Sequence, residues 1–230
     1  MGIDIDILRQ FPLFDELEET ALARLMARAA LRRLAAGETV FQQGESAHSF
    51  FLLVEGRLKV TQVTEDGQQL MVRVVYPGDL FGFARVLSRP DYPGTSRAAV
   101  ESEVIAWPMA EWDVVVQGNP RLAVNAIQSI GQRLDEAHTR LREMSTQDVE
   151  QRVAHAVLRM IQQAGRPEDD GIRIDFPISR QDIAEMTGTT LHTVSRILSA
   201  WEGRGFVRGG RQRLTVLDIP ALERIANPEG

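Results

Sequence analysis

The sequence predicts an α+β chain in three parts: an antiparallel β-roll (a double-stranded β-helix, or jelly roll), one long helix, and a short helix pair closed by a β-hairpin. Three observations lead there. Between Gly37 and Trp107 short β-rich runs alternate with glycine turns. From Ala123 to Met144 apolar residues recur at heptad spacing. Between Ser179 and Leu217 two capped helical segments precede an arginine-rich hairpin. The implied domains are 1–118, 119–146 and 147–230.

Composition bounds the possibilities. The 230 residues carry a net charge of −6, with 43% hydrophobic and 25% charged side chains, which is ordinary globular composition. The absence of Cys excludes disulfides, thiolate zinc, a Cys-held iron–sulfur cluster and a Cys nucleophile. The N-terminal MGIDIDILRQF has acids where a signal peptide needs bases, and no apolar run approaches membrane-spanning length. A cytoplasmic protein with no membrane partner is expected.

Residues 4–36 read as helical, with Leu17, Leu22, Leu25 and Met26 on one face. TVFQ, SFFLLVEG, RLKVTQVT and QLMVRVVY then read as strands, punctuated by Gly37, Gly44, Gly56, Gly67 and Gly78. Glu65-Asp66-Gly67 is a hairpin signal, because glycine relieves a positive φ. Such a roll encloses a pocket. Asn119 and Pro120 begin the long helix, as cap and as first helical residue. Ala123, Ile127, Ile130, Leu134, Ala137, Leu141 and Met144 follow as a narrow seam, which predicts a parallel coiled-coil homodimer. Another helix spans 147–164, with Val149, Val153, Val157, Leu158 and Ile161 inward. RPEDDG (166–171) reads as a loop and IRIDFPI (172–178) as a strand.

Ser179 caps a helix carrying Ile183, Ala184 and Met186 inward, and Gly188 stops it. Thr189-Thr190 caps a second helix with Val194, Ile197, Leu198 and Trp201 inward. Two short helices joined by a tight turn make a helix-turn-helix. FVRGGRQRLTVL adds a β-hairpin wing turning at Gly209-Gly210, tipped with Arg208, Arg211 and Arg213. Residues 180–213 hold six arginines against three acids, a local +3 on a chain whose remainder is −9. That is a footprint for phosphate. Ser179, Arg180, Gln181 and Thr190 at the helix starts, His192, Ser195 and Arg196 on the second helix, and Arg211 on the wing are the candidate contacts to double-stranded DNA. A neutral His192 can accept or donate, whereas bidentate Arg to guanine is the commonest specific contact.

The order of roll, long helix and winged helix-turn-helix resembles the CRP/FNR superfamily of bacterial transcription regulators over nearly the whole chain. VFQQGESAHSFFLLVEGRLKV, YPGDLFG and SRQDIAEMTGTTLHTVSRIL carry the likeness. The resemblance implies a cyclic-nucleotide-binding-like roll, a homodimer on a palindromic operator, ligand-driven rotation of the DNA-binding heads, and contact with RNA polymerase. It also implies that His192 stands where many relatives carry Glu.

The effector is the open point. Oxygen-sensing members ligate iron–sulfur through Cys, which this chain lacks. Cyclic-AMP receptors use Gly-Glu and Arg-Ser in the roll. Here Phe83 follows Gly82, the Arg-Ser place falls near Tyr92-Pro93, and Ala137-His138 replaces the helix's Thr-Ser. Cyclic AMP is therefore not expected, although Arg85, Arg89 and Arg97 offer another route to an anion. ESAHSFF and RPDYPGTSRAAVESEV resemble the Dnr/NnrR-type branch, which regulates denitrification genes in response to nitric oxide with haem b as the implied cofactor. His138 is then the first candidate axial ligand and His48 the second. A regulator with a different effector, or none, is the alternative, and a cyclic-nucleotide-binding module the remote one.

An enzyme is not expected. Asp169-Asp170 and Glu101/Glu103 read as solvated acids, and no P-loop, GxGxxG or HxxxH is present.

Overall fold

A computed structural model describes residues 5–84, 88–113 and 120–228. The capping role read for Asn119, and Arg85, lie outside them.

Two 3-10 turns (Ile5–Gln10 and Pro12–Phe14) and helix α1 (Glu19–Met26) open the chain. Eight strands follow: β1 (Ala30–Leu34), β2 (Thr39–Phe41), β3 (Ser49–Glu55), β4 (Leu58–Val63), β5 (Gln69–Val75), β6 (Leu80–Phe81), β7 (Thr95–Ala98) and β8 (Ser102–Pro108). They form two four-stranded sheets, in the orders β1-β8-β3-β6 and β2-β7-β4-β5.

Strand β3 explains why both sides of its sheet are apolar. Successive side chains on a strand point to opposite faces. Phe50 and Leu52 join the cluster made by the N-terminal turns and α1, with Leu8, Phe14, Leu22 and Trp107. Phe51 and Leu53 join the roll interior, with Phe41, Leu58, Phe81 and Tyr92. A continuous apolar run is what a strand buried on both faces requires. The Trp107 indole N–H donates to the Leu25 carbonyl 2.9 Å away, so the buried ring leaves no donor unmatched.

The helical expectation for 4–36 holds as α-helix only over Glu19–Met26: the segment before it forms 3-10 turns, and the segment after it turns into a strand. Residues 30–34 are strand β1, paired from Ala30↔Ala106 to Leu34↔Ser102. β1 is an edge strand and only its Leu34 is buried, so the run carries no alternating apolar signal.

Helix α2 (Pro120–Thr146) is the long helix. Its first turns turn Leu122 and Ala126 into the N-terminal cluster. Chain contacts divide the molecule into Met1–Val63 with Arg73–Ala137, and Thr64–Val72 with His138–Gly230, so one boundary falls within α2.

The C-terminal elements are α3 (Val149–Ala164), β9 (Gly165–Glu168), β10 (Gly171–Ile174), α4 (Arg180–Thr187), α5 (Leu191–Gly203), β11 (Val207–Gly210), β12 (Arg213–Val216) and α6 (Ile219–Ala226). Asp148 starts α3 with a capping box, its carboxylate accepting from Gln151 N at 2.9 Å while the Gln151 side chain returns to Asp148 N. The sheet order is β11-β12-β10-β9. RPEDDG is thus not a loop: residues 165–168 pair with 171–174 around an Asp169-Asp170 turn. The first three residues of β9, 165–167, are exposed, so burial left no pattern to read.

Candidate functional site

The helix pair is built by its caps. Ser179 Oγ accepts from Asp182 N at 3.0 Å, and the Asp182 carboxylate accepts from Ser179 N at 2.7 Å. This satisfies two of the amide groups a helix start leaves unpaired. Gly188 ends α4 at φ +61, a left-handed conformation that costs glycine little. Two residues on, Thr190 Oγ1 accepts from Thr193 N at 3.2 Å and starts α5. Ile183, Ala184, Val194, Leu198 and Trp201 are buried, as their spacing predicts. Met186 and Ile197 are only half-buried, and Thr187 takes an inward place with its hydroxyl donating to the Ile183 carbonyl at 2.7 Å. The Trp201 indole N–H donates to Glu150 Oε1 at 2.8 Å and ties α5 to α3.

The outer face of α5 starts with Leu191, 47% exposed. His192 and Arg196 are exposed and Ser195 is half-buried. Among the described residues neither His192 nor Arg196 has a side-chain partner. Arg180 does: its guanidinium lies 3.2 Å from Glu202 and 3.5 Å from the Ser199 hydroxyl. Gln181 donates to Glu185 at 2.9 Å.

The wing differs from expectation in two respects. Its turn is Arg211-Gln212, with Gln212 at φ +56, because Gly210 already pairs with Arg213. Gly209 sits within strand β11, where a Cβ would stand 2.1 Å from Glu202 Oε1. The tip arginines are also not alike. Arg208 is held by both oxygens of Asp170, and by Glu168 at 3.5 Å. Arg213 and Arg173 each lie 3.4 Å from Glu168, which also accepts from the Thr215 hydroxyl. The Arg208 hydrogen bond holds the Asp170 carboxyl below its ordinary pKa and raises that of Arg208. Arg211 alone of the three is exposed without an ion pair among the described residues.

On α2 the predicted seam is largely bare in the single chain. Ile127 (68%), Leu134 (56%), Leu141 (64%) and Met144 (55%) are exposed. Ala137 is exposed too, whereas Ala123 and Ile130 are half-buried.

The roll holds a cavity of about 170 Å³. Phe41, Phe81, Phe83 and Tyr92 supply aromatic walls, and Arg73 and Arg133 the charged edge. Phe83, Tyr92 and Pro93, the residues that depart from the cyclic-AMP-binding pattern, all line it. Tyr92 stacks on Phe41 with ring centroids 3.9 Å apart. Its phenol donates to the Ser49 carbonyl at 2.7 Å and accepts from Ser49 N at 3.1 Å. Arg73 and Arg133 were not singled out in the sequence. An inward Arg on a half-buried strand and an Arg off the helix seam are the only marks they leave. Arg89, by contrast, pairs with Asp91 at 3.5 Å, and Arg97 is exposed on β7.

The residues present do not fit haem in this cavity. His138 and His48 are exposed and neither lines it. The Tyr92 oxygen is engaged by Ser49. No metal-holding group of three His, Cys, Asp or Glu occurs among the described residues. No helix there is long and apolar enough to cross a membrane.

Residues 31–119 match the cyclic nucleotide-binding domain family, and residues 151–225 the Crp-like helix-turn-helix domain family. The chain is 25% identical to a CRP-like cAMP-activated global transcriptional regulator of Mycobacterium tuberculosis, covering 96% of this chain and 99% of the relative. It is 27% identical to the cyclic AMP receptor protein of Thermus thermophilus, over 94% and 96%. It is also 27% identical to the global nitrogen regulator of Synechococcus elongatus, over 82% and 86%. Among solved structures, a CRP-family transcriptional regulator of Thermus thermophilus superposes with a TM-score of 0.72 at 26% identity, covering 85% of this chain and 96% of that one.

Proposed function

The chain belongs to the CRP/FNR family of transcription regulators, and from that premise we propose an effector-gated homodimer that reads a palindromic operator through α5. It is a DNA-binding regulator and not an enzyme. His192, Ser195 and Arg196 face base edges in the major groove. The α4 start (Ser179, Arg180, Gln181), Thr190 at the start of α5, and Arg211 on the wing lie along the phosphates. The Ser179 and Thr190 hydroxyls are occupied by their caps, so these two residues position the helix starts towards phosphate more than they reach for it.

The carrying observation is selective exposure. Arg180, Arg208 and Arg213 have carboxylate partners, whereas Arg196 and Arg211 stand exposed without one. An unpaired guanidinium on the first turns of a capped second helix is what bidentate guanine recognition needs.

Regulators of this family dimerise, and the bare seam through Ile127, Ile130, Leu134, Ala137, Leu141 and Met144 supplies the surface for it. Two-fold symmetry then places two recognition helices on half-sites about 34 Å apart. RNA polymerase is the further partner the family implies.

The effector occupies the roll cavity. Its aromatic walls, and histidines that do not line it, favour an organic small molecule over nitric oxide sensed through haem. The experiment is operator selection from random duplexes, followed by fluorescence anisotropy on the selected site. Arg196→Ala should weaken that site by about 1–3 kcal/mol and relax preference at one base pair per half-site. Unchanged affinity and preference would remove α5 as the reading helix.

A further inference from the structure

We propose that Glu150 is a positioning residue for operator recognition: through the Trp201 indole it fixes the rotation of α5 about its own axis, and with it the aim of Arg196. This rests on the reading of α5 as the helix that meets base edges, and it names what holds that helix in aim.

Trp201 is the anchor. Val194, Leu198 and Trp201 are the buried residues of α5. Apolar burial is non-directional, so a stripe of this kind fixes the depth of a helix better than its rotation. The indole N–H has a direction. Trp201 is 0% exposed, so its donor needs a partner within the fold, and it donates to Glu150 Oε1 at 2.8 Å. A hydrogen bond to a carboxylate is stronger than one between neutral groups.

Rotation is what base reading is sensitive to. Arg196 precedes Trp201 by five residues on the same helix, about 140° round its axis, so a turn of the indole carries the guanidinium with it. A binding constellation must be held to within about 10–20° of its productive geometry, and a bidentate pair on one guanine edge is such a constellation.

Glu150 is itself held in place. It is the second residue of α3, inside the capping box of Asp148 and Gln151, where the helix dipole favours a carboxylate. Two residues on, Arg152 Nε donates to the Thr187 carbonyl at 3.0 Å and Arg152 Nη1 to the Gln147 carbonyl at 2.8 Å. Thr187 ends α4, and Gln147 follows the last residue of α2. Glu143 on the last turns of α2, its side chain only 7% exposed, pairs with Arg159 of α3. The first turn of α3 therefore joins the end of α2, the end of α4 and the anchor of α5. Any turn of α3 at this junction reaches the recognition helix through one carboxylate.

The test compares Glu150→Ala and Glu150→Gln in the full chain, by anisotropy on the selected operator and on a random duplex. Both variants lose the same charge, and Glu150 is exposed, so neither opens a core cavity. Only Glu150→Gln keeps an oxygen for the indole. Glu150→Ala should weaken operator binding about tenfold and relax preference at the base pair that Arg196→Ala relaxes, whereas Glu150→Gln should stay within about threefold of the unmodified protein. Both should bind the random duplex equally. In the Glu150→Ala/Arg196→Ala double variant the losses should not multiply, since aim is worth nothing once the guanidinium is gone. Trp201→Phe, which keeps a ring without the N–H, should match the Glu150→Ala loss and stands in for it if that variant melts below the assay temperature. The role is wrong if operator affinity survives Glu150→Ala, if Glu150→Gln loses as much as Glu150→Ala, or if the losses multiply with that of Arg196→Ala. Failure of the underlying reading looks different: Arg196→Ala alone then leaves operator affinity unchanged, whatever Glu150 does.

Discussion

Tyr92 does two jobs with one side chain. Its ring forms a cavity wall, and its hydroxyl serves both backbone groups of Ser49. Met109 N donates to the His48 carbonyl, so in the alternating ladder Ser49, opposite Pro108, turns its amide and carbonyl away from β8 and toward the phenol. Tyr92→Phe should therefore lower stability by about 1–3 kcal/mol, the cost of leaving buried backbone groups unmatched, as read by urea unfolding. Burial raises the Tyr92 phenol above its ordinary pKa, so the folded state holds this proton more tightly than the unfolded chain. The resulting stability is complete below the ordinary phenol value of about 10 and is lost as pH rises through the raised one. The alkaline limb of a melting-temperature profile should flatten in Tyr92→Phe, and an unchanged limb would assign the alkaline loss to another group. Little of this was legible beforehand. Tyr92 appeared in the sequence only as the residue at a missing Arg's place, because its partner lies 43 positions away.

At the scale of the element, what could be read depended on whether the determinants were local. The helix pair was legible because its caps are written as residues: Ser179, Gly188 and Thr190 do what their chemistry dictates. Strands β1 and β9 were not, since both are edge strands with little buried surface. Gly209-Gly210 looks like a hairpin loop in the sequence, whereas both residues pair within strand β11 and the turn falls at Arg211-Gln212. Helix α2 shows how far a periodic pattern goes. The seam predicted an apolar stripe, and the structure adds a second face, Leu122 and Ala126, committed to the N-terminal cluster. Leu134, more than half exposed in the single chain, is the cleaner probe of the seam, since it contributes little within the chain. Leu134→Glu should convert the dimer to a monomer in sedimentation velocity with the thermal melt of the sensing domain preserved, because a desolvated, unpaired charge in a seam is strongly unfavourable. Ile130→Glu should do the same at some cost to the fold. A dimer unchanged by both would relocate the interface.

Across the whole molecule, charge is organised against the net sign. The chain carries −6, yet its DNA-binding head gathers arginines and then neutralises most of them internally. Arg196, Arg204 and Arg211 are the arginines of 180–213 without a carboxylate partner among the described residues. With Arg196 and Arg211 as the two proposed to meet DNA, a homodimer offers about four cations, and log affinity should fall with log salt at a slope of about −4. Asp170→Asn removes the closer of the two carboxylates on Arg208, leaving Glu168 at 3.5 Å, and should steepen the slope by up to about 2, with nonspecific duplex binding strengthened more than operator binding. Arg211→Ala should shift it by a similar amount the other way. A slope indifferent to Asp170→Asn would mean that Arg208 never reaches DNA. This distribution is half visible in the sequence: the basic stretch can be counted, but its acidic partners Glu168 and Asp170 stand in a polar segment that reads as a solvated loop.

The hairpin that carries those two carboxylates bears on time as well as affinity. A regulator spends much of its life on the wrong sequence, and each loose cation lengthens every such visit. By occupying Arg208 and Arg213, Glu168 and Asp170 should shorten the dwell on random DNA, while Arg196, in the reading proposed above, is left to test bases. The acids should thus hasten the search for a vacant operator, and a variant without them should find its target later even as it clings to DNA more tightly.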